Sequence, residues 1–158
     1  MTTAYLGLGA NLGDRAANLA EAARRIASAD VRVLRVSSSW ETAPRGILDQ
    51  PWFLNQVMEV ETDLSAMQLF HQIQEIEREM GRVRAARDGP RLIDIDILLY
   101  GDQQVSEPDL EIPHPRMAER RFVLEPLAEL APALRHPVSG KTVQEMLAKV
   151  KDQVARAV

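Results

Sequence analysis

Two aspartates placed two residues apart, Asp94 and Asp96 in the run LIDIDILLY, are the residues whose types and spacing most directly imply chemistry. In an extended strand side chains alternate between faces, so Asp94 and Asp96 share one face and Ile93, Ile95 and Ile97 the other. The full alternation predicts Leu92, Asp94, Asp96, Leu98 and Tyr100 on the first face and Ile93, Ile95, Ile97 and Leu99 on the second. The two aspartate Cα atoms should lie roughly 6.5 Å apart, near enough for both carboxylates to reach one cation or two neighbouring ones. Like charges side by side on a strand repel, so the face is either open to water or compensated by a cation.

The residues before the strand favour the cation. Arg82, Arg84, Arg87 and Arg91 precede it within ten residues, and Gly89-Pro90 bends the chain between the last two. Guanidinium groups stay charged at any working pH and grip phosphate oxygens in pairs, so arginines beside two acidic residues suit a polyphosphate that carries a metal. The chain has no cysteine, which leaves oxygen and histidine as ligands and favours magnesium. The bland alternative is a solvated basic loop ahead of an exposed strand face.

The elements that must position these groups can be read from periodicity. Thr3 to Gly9 reads as a strand, followed after Asp14 by a helix with Leu19, Ala23 and Ile26 at helical spacing. Val31 to Ser38 and Asn55 to Thr62 read as strands. Ser65 is placed to cap a helix striped by Leu69, Ile73, Ile76 and Met80, and Gly81 to end it. After the strand Leu92 to Tyr100, shorter helices are expected from about Arg120 and from about Val143. The simplest assembly is an α+β, ferredoxin-like sandwich, with helices packed on a mostly antiparallel sheet and residues 1–158 forming one domain.

Composition removes several function classes. The net charge of −4 argues against general nucleic-acid binding, although Arg116, Arg120 and Arg121 form a second basic cluster. No run of eighteen apolar residues and no basic-then-apolar leader is present, so a cytoplasmic protein that neither spans nor enters a membrane is expected. Gly7, Gly9 and Gly13 imitate a dinucleotide-binding fingerprint, but the spacing is G-x-G-x-x-x-G and Val36-Ser37-Ser38 supplies no acidic ribose ligand. No G-x-x-x-x-G-K-[ST] loop occurs. A ferredoxin-like RNA-binding module would need exposed sheet aromatics and a basic surface, which the apolar LIDIDILLY strand and the negative charge oppose.

The string from Arg87 to Leu98, RDGPRLIDIDIL, resembles the signature of the pterin pyrophosphokinase family. The resemblance extends over roughly residues 3 to 135: YLGLGANLGD near the start, Glu41 to Pro44, Phe53-Leu54-Asn55, Gln74 and Glu77, Arg82-Val83-Arg84, and PHPRMAERRFVLEPL from Pro113. It implies pyrophosphate transfer from ATP to 6-hydroxymethyl-7,8-dihydropterin, releasing AMP, by a monomer. By the same resemblance Asp94 and Asp96 hold two magnesium ions, and Arg82 and Arg91 act on the transferring group. Gln74, Glu77, Arg84, Arg87, Ile97, His114 and Arg120 bind ATP. The pterin lies between Phe53 and Phe122, read by Asn55 and by Thr42, Ala43 and Pro44, while loops around Gly46 and Gly89 exclude water. Read without the family, Gln74 and Glu77 are ordinary surface residues, Arg120 a surface helix residue and His114 a turn residue bonded to backbone. Where many members carry tryptophan this chain has Asp88, and where some carry tyrosine it has Phe53 and Pro115.

Overall fold

The computed structural model describes residues 1–43, 51–81 and 92–158. Its first strand, β1 (Thr2–Ala10), leads into α1 (Arg15–Ile26), which begins where the Asp14 carboxylate accepts the Ala17 backbone N–H at 3.1 Å. Next come β2 (Val31–Val36), β3 (Trp40–Thr42) and β4 (Phe53–Thr62). Helix α2 (Ala66–Glu79) starts from a reciprocal cap between Ser65 and Gln68 and ends before Gly81, whose φ of +79° favours glycine. Then follow β5 (Asp94–Tyr100), the small hairpin β6 (Val105–Glu107) and β7 (Leu110–Ile112), a 3-10 turn over Met117–Glu119, α3 (Arg121–Leu130), α4 (Val143–Ala148) and β8 (Ala155–Ala157).

The main sheet runs β5-β1-β4-β3-β8, and β2 pairs with the other half of β4's outer edge; every pairing is antiparallel. The order β5-β1-β4-β2, with α1 and α2 as the crossing helices, is the ferredoxin-like sandwich expected from the sequence. Antiparallel neighbours on both sides of β1 dispose of the dinucleotide-binding reading, which needs β1 in a parallel βαβ unit.

Both sheet faces are covered. On one, Leu6, Leu8, Met58, Val60, Ile95 and Ile97 pack with Leu19 and Ile26 of α1 and Leu69 and Ile73 of α2. On the other, Tyr5, Val57, Leu98 and Leu99 pack with Leu124 and Leu127 of α3 and Met146 and Leu147 of α4.

Two departures from simple alternation have identifiable causes. In β5 the register jumps from Tyr5↔Leu99 to Leu6↔Ile97, so Leu98 is the extra residue of a bulge. Asp94 and Asp96 keep their shared face. Beyond the bulge the phase reverses: Leu99 joins Leu98 under α3 and α4, and Tyr100 turns into the α1–α2 core, where its hydroxyl donates to the Leu64 carbonyl. The expected placement of Leu99 and Tyr100 is therefore corrected. β2 stops at Val36 rather than Ser38 because the Ser37 hydroxyl, not a ladder carbonyl, accepts the Val57 N–H at 2.9 Å. The chain then continues in the same direction along the remaining half of β4 as β3, a strand the sequence reading omitted.

A second bulge, between Val33 and Arg35, sets Arg35 opposite Glu59, which is itself opposite Tyr5. Glu59 is buried; it accepts the Tyr5 hydroxyl at 2.5 Å and pairs with Arg35 at 2.9 and 3.1 Å. The Arg35 guanidinium holds the Glu59 carboxyl below its usual range against the opposing effect of burial. Burial, reinforced by the carboxylate, raises the Tyr5 phenol to about 12. A group with a depressed folded pKa contributes stability above its unfolded pKa and loses it as pH falls through the folded value. Tyr5→Phe should cost about 1–2 kcal/mol at neutral pH by removing a charge-assisted hydrogen bond. In thermal melts the stability gap between the unaltered chain and Glu59→Gln should close as pH falls below the ordinary glutamate range; a constant gap down to pH 2 would refute the network.

Candidate functional site

Cross-strand register assembles the face that carries the aspartates. Asn55 of β4, Gly9 of β1 and Asp94 of β5 are opposite one another in one row; Val57, Gly7 and Asp96 form the next. Directly opposed residues project to the same side. The amide and the nearer carboxylate are thus separated by a strand with no side chain at that point, a span of roughly 9.6 Å between Cα atoms at two strand spacings. The glycines leave room for their neighbours' side chains on this floor of the sheet. A Cβ added at Gly9 would come within 2.9 Å of Asn55 Oδ1 and 3.7 Å of Phe53 Cδ1; at Gly7 it would touch Leu98 at 3.3 Å.

At one end of the floor, Asn55 is buried and its Nδ2 donates to Thr42 Oγ1 at 2.7 Å and to the Trp40 carbonyl at 3.5 Å. That donor assignment leaves Oδ1, beside Gly9, as the acceptor. Thr42 is buried opposite half-buried Phe53, and Ala43 follows. Phe122, in the first turn of α3, is half-buried, with the Arg120 guanidinium 5.3 Å from its ring centre.

At the other end, the Asp96 carboxylate is about half exposed and its Oδ2 lies 4.0 Å from His114 Nε2. The His114 backbone N–H donates to the Leu98 carbonyl at the bulge, and His114 Nδ1 accepts the Arg116 N–H at 3.2 Å. The Nε2 position therefore carries the proton and points toward Asp96. Burial, aided by Arg120 and Arg116, lowers the His114 pKa to about 4, which makes the ring a neutral donor at physiological pH. The bonded-turn reading of His114 holds, and the same turn brings it beside Asp96.

Behind β5 the surface reading of Glu77 is corrected. Glu77 is buried, and its Oε2 accepts the Ile95 backbone N–H at 2.9 Å, satisfying a donor on the strand edge that β1 does not use. Gln74, one turn earlier, is exposed. Ile97 has its side chain in the α1–α2 core, so it can offer a ligand only backbone. Arg120 is half-buried at the N-cap of α3, ahead of the helix rather than on its surface.

Arg82, Arg84, Arg87, Arg91 and Pro44, with Gly46, Asp88 and Gly89, lie outside the described residues. Their flanks are informative. A Cβ on Gly81 would lie 3.9 Å from Leu92 Cδ1, so the described residues on either side of the arginines are neighbours just ahead of Asp94. Contacts the sequence reading missed belong to the margin of the amide end. Glu41 pairs with Arg15 at 2.8 Å and with Arg156 at 2.5 Å, and Arg15 also donates to the Trp52 carbonyl at 2.8 Å. No periodicity signals such pairs, because their members lie far apart in the chain.

A face with a fixed amide at one end and two carboxylates at the other offers groups suited to a flat heterocycle next to a metal-bound polyphosphate. Comparison with known proteins points the same way. The family model described as 7,8-dihydro-6-hydroxymethylpterin-pyrophosphokinase (HPPK) matches residues 5–132. The chain is 48% identical over 151 residues to the 2-amino-4-hydroxy-6-hydroxymethyldihydropteridine pyrophosphokinase of Methylorubrum extorquens, covering 95% of this chain and 94% of that one. It is 44% identical over 144 residues to the Bacillus subtilis protein of the same name, covering 90% and 86% respectively. Among solved structures, Plasmodium falciparum HPPK-DHPS with pterin and p-hydroxybenzoate shares the fold at a TM-score of 0.76 and 16% identity, over 99% of this chain and 45% of that one. With its register-built face and a match over most of its length, the chain belongs to the 7,8-dihydro-6-hydroxymethylpterin-pyrophosphokinase family.

Proposed function

We infer that the chain transfers the pyrophosphoryl group of ATP to the hydroxymethyl oxygen of 6-hydroxymethyl-7,8-dihydropterin, in folate biosynthesis. The substrate oxygen bonds to the β-phosphorus, the bond from that phosphorus to the α–β bridging oxygen breaks, AMP departs and the hydroxyl proton is released. The observation that supports this reading is the row Asn55, Gly9, Asp94, which sets a buried amide and a carboxylate on one sheet face with a glycine between them.

Each end fits its share of the substrates. Asn55 Oδ1, fixed as an acceptor, suits an N–H on the pterin amide edge, with Phe53 and Phe122 as walls and Thr42, Ala43 and Pro44 along the margin. Asp94 and Asp96 present only oxygen, which fits two magnesium ions that take their remaining ligands from phosphate and water. Bound there, magnesium would neutralise charge on the triphosphate. His114 would donate toward the same oxygens, and Arg120, Gln74 and the Ile97 backbone would face the nucleotide. Glu77 would act from behind by fixing the β5 backbone. Arg82 and Arg91 would stabilise the transferring group, and Arg84 and Arg87 the outer phosphates. The same reading makes the protein a cytoplasmic monomer with small-molecule substrates. Among the described residues no helix is long and apolar enough to cross a membrane.

Chromatography of a reaction containing ATP, magnesium and the pterin alcohol should show AMP only when all three are present; ADP would indicate ordinary kinase chemistry and overturn the assignment. Asp94→Asn and Asp96→Asn should each lower kcat about a thousandfold or more, since several kcal/mol of charge stabilisation would be lost, with melting unchanged. Near-normal turnover in either would dismiss the metal role. Gly9→Ala should raise KM for the pterin roughly tenfold by displacing Asn55, and leave KM for ATP nearly unaltered. An equal rise in both constants would place Gly9 outside the pterin end.

A further inference from the structure

The C-terminal strand touches both sides of the amide end, and nothing in the transfer reaction itself accounts for it. β3, which carries Thr42, is only three residues long and needs a partner on each edge to be held in place. β4 supplies one edge. β8 supplies the other, through Trp40↔Ala157, Glu41↔Arg156 and Thr42↔Ala155, extended by the Val158 N–H donating to the Ser39 carbonyl at 3.1 Å.

The side chains add to this pairing. Arg156 donates to Glu41 Oε1 through Nε at 2.8 Å and Nη2 at 2.5 Å, and its guanidinium lies 4.4 Å from the centre of the Trp52 ring. Glu41 also holds Arg15 of α1, which donates to the Trp52 carbonyl, while Asn11 Nδ2 donates to the Pro51 carbonyl at 3.0 Å. Trp52 directly precedes Phe53. The approach to β8 is in turn pinned to the start of α3: Arg121 Nη1 donates to the carbonyls of Lys151 and Gln153, and the Gln153 side chain accepts the Arg121 N–H and donates to the Glu119 carbonyl. Phe122 is the next residue. One short segment thus links the Phe53 side of the floor to the Phe122 side.

We propose that β8, through Arg156 bridging Glu41 and the Trp52 ring, positions the pterin-binding end of the site and so sets affinity for the pterin but not for ATP. Arg156 is a positioning residue: it acts on the substrate through Thr42, Trp52 and Phe53. The inference rests on the pterin reading given above. Arg156 is largely exposed, so its replacement should leave the fold intact.

The test compares Arg156→Ala and Arg156→Lys with the unaltered chain in steady-state assays that vary pterin and ATP separately. Arg156→Ala should raise KM for the pterin about tenfold, with KM for ATP and kcat changed less than about twofold. Arg156→Lys, which keeps the charge and loses the planar fork, should fall between. In a Trp40→Phe background, Trp52 is the sole tryptophan, and its emission should change on Arg156→Ala. An unchanged pterin KM, or a parallel rise in both constants, overturns the proposal. A chain that turns over no pterin even unaltered overturns the pterin reading and this inference with it, whereas an active chain that Arg156→Ala leaves untouched overturns the inference alone.

Discussion

The register of β1 against its two neighbours is the constraint on which the site depends. β1 pairs with β4 from Thr2 to Ala10 and with β5 from Ala4 to Gly9, so a slip of one residue on either side would move every side chain to the opposite face. Such a slip would bury Asp94 and Asp96 in the α1–α2 core, where two unpaired carboxylates would be prohibitively costly. It would also expose Ile95 and Ile97. Hydrophobic burial on one face and charge exposure on the other therefore enforce the same register, and the Asn55–Gly9–Asp94 row is its consequence.

That row makes demands elsewhere in the fold. An edge strand carrying two like charges is weakly held, and among the described residues β5 has a strand neighbour on only one side. Glu77 meets part of this cost by accepting the Ile95 N–H from the outer side, and the His114 N–H bonds the Leu98 carbonyl just beyond. Further along β1 and β4, Tyr5, Glu59 and Arg35 form a satisfied polar row under the second helical layer, so the sheet stays rigid where the floor ends. The glycines at positions 7 and 9 forgo packing contacts, and the flanking apolar positions Leu6, Leu8 and Ala10 are all buried on the other face, which offsets that loss.

Much of this was legible in the sequence wherever information is local. The helix after Asp14, the cap at Ser65, the apolar stripe of α2 and the shared face of Asp94 and Asp96 follow from spacing alone, and the structure shows all of them. Leu99 and Tyr100 were misplaced because a bulge is decided by the partner strand, and nothing in LIDIDILLY marks Leu98 as the extra residue. β3 and β8 escaped because strands of three residues carry too short a pattern to register. Glu77 was misjudged for a similar reason: a carboxylate bordering an apolar stripe looks solvated until the unused N–H of another strand is known to sit beside it.

The residues hardest to read are those whose partners lie farthest along the chain, and the two ends of the floor differ sharply in this respect. The carboxylate end is built from residues close in sequence: Asp94, Asp96, the Leu98 bulge and the turn at His114. The amide end joins Asn11, Arg15, Glu41, Trp52, Asn55 and Arg156, which span almost the whole chain. A contact between distant segments closes a long loop of chain and forms only once the sheet exists to hold it. The Glu41–Arg156 contact closes the longest of these loops, so the geometry of the amide end depends on β8. The same separation along the chain hides Arg156 from a sequence reading, although it meets Glu41 at the amide end.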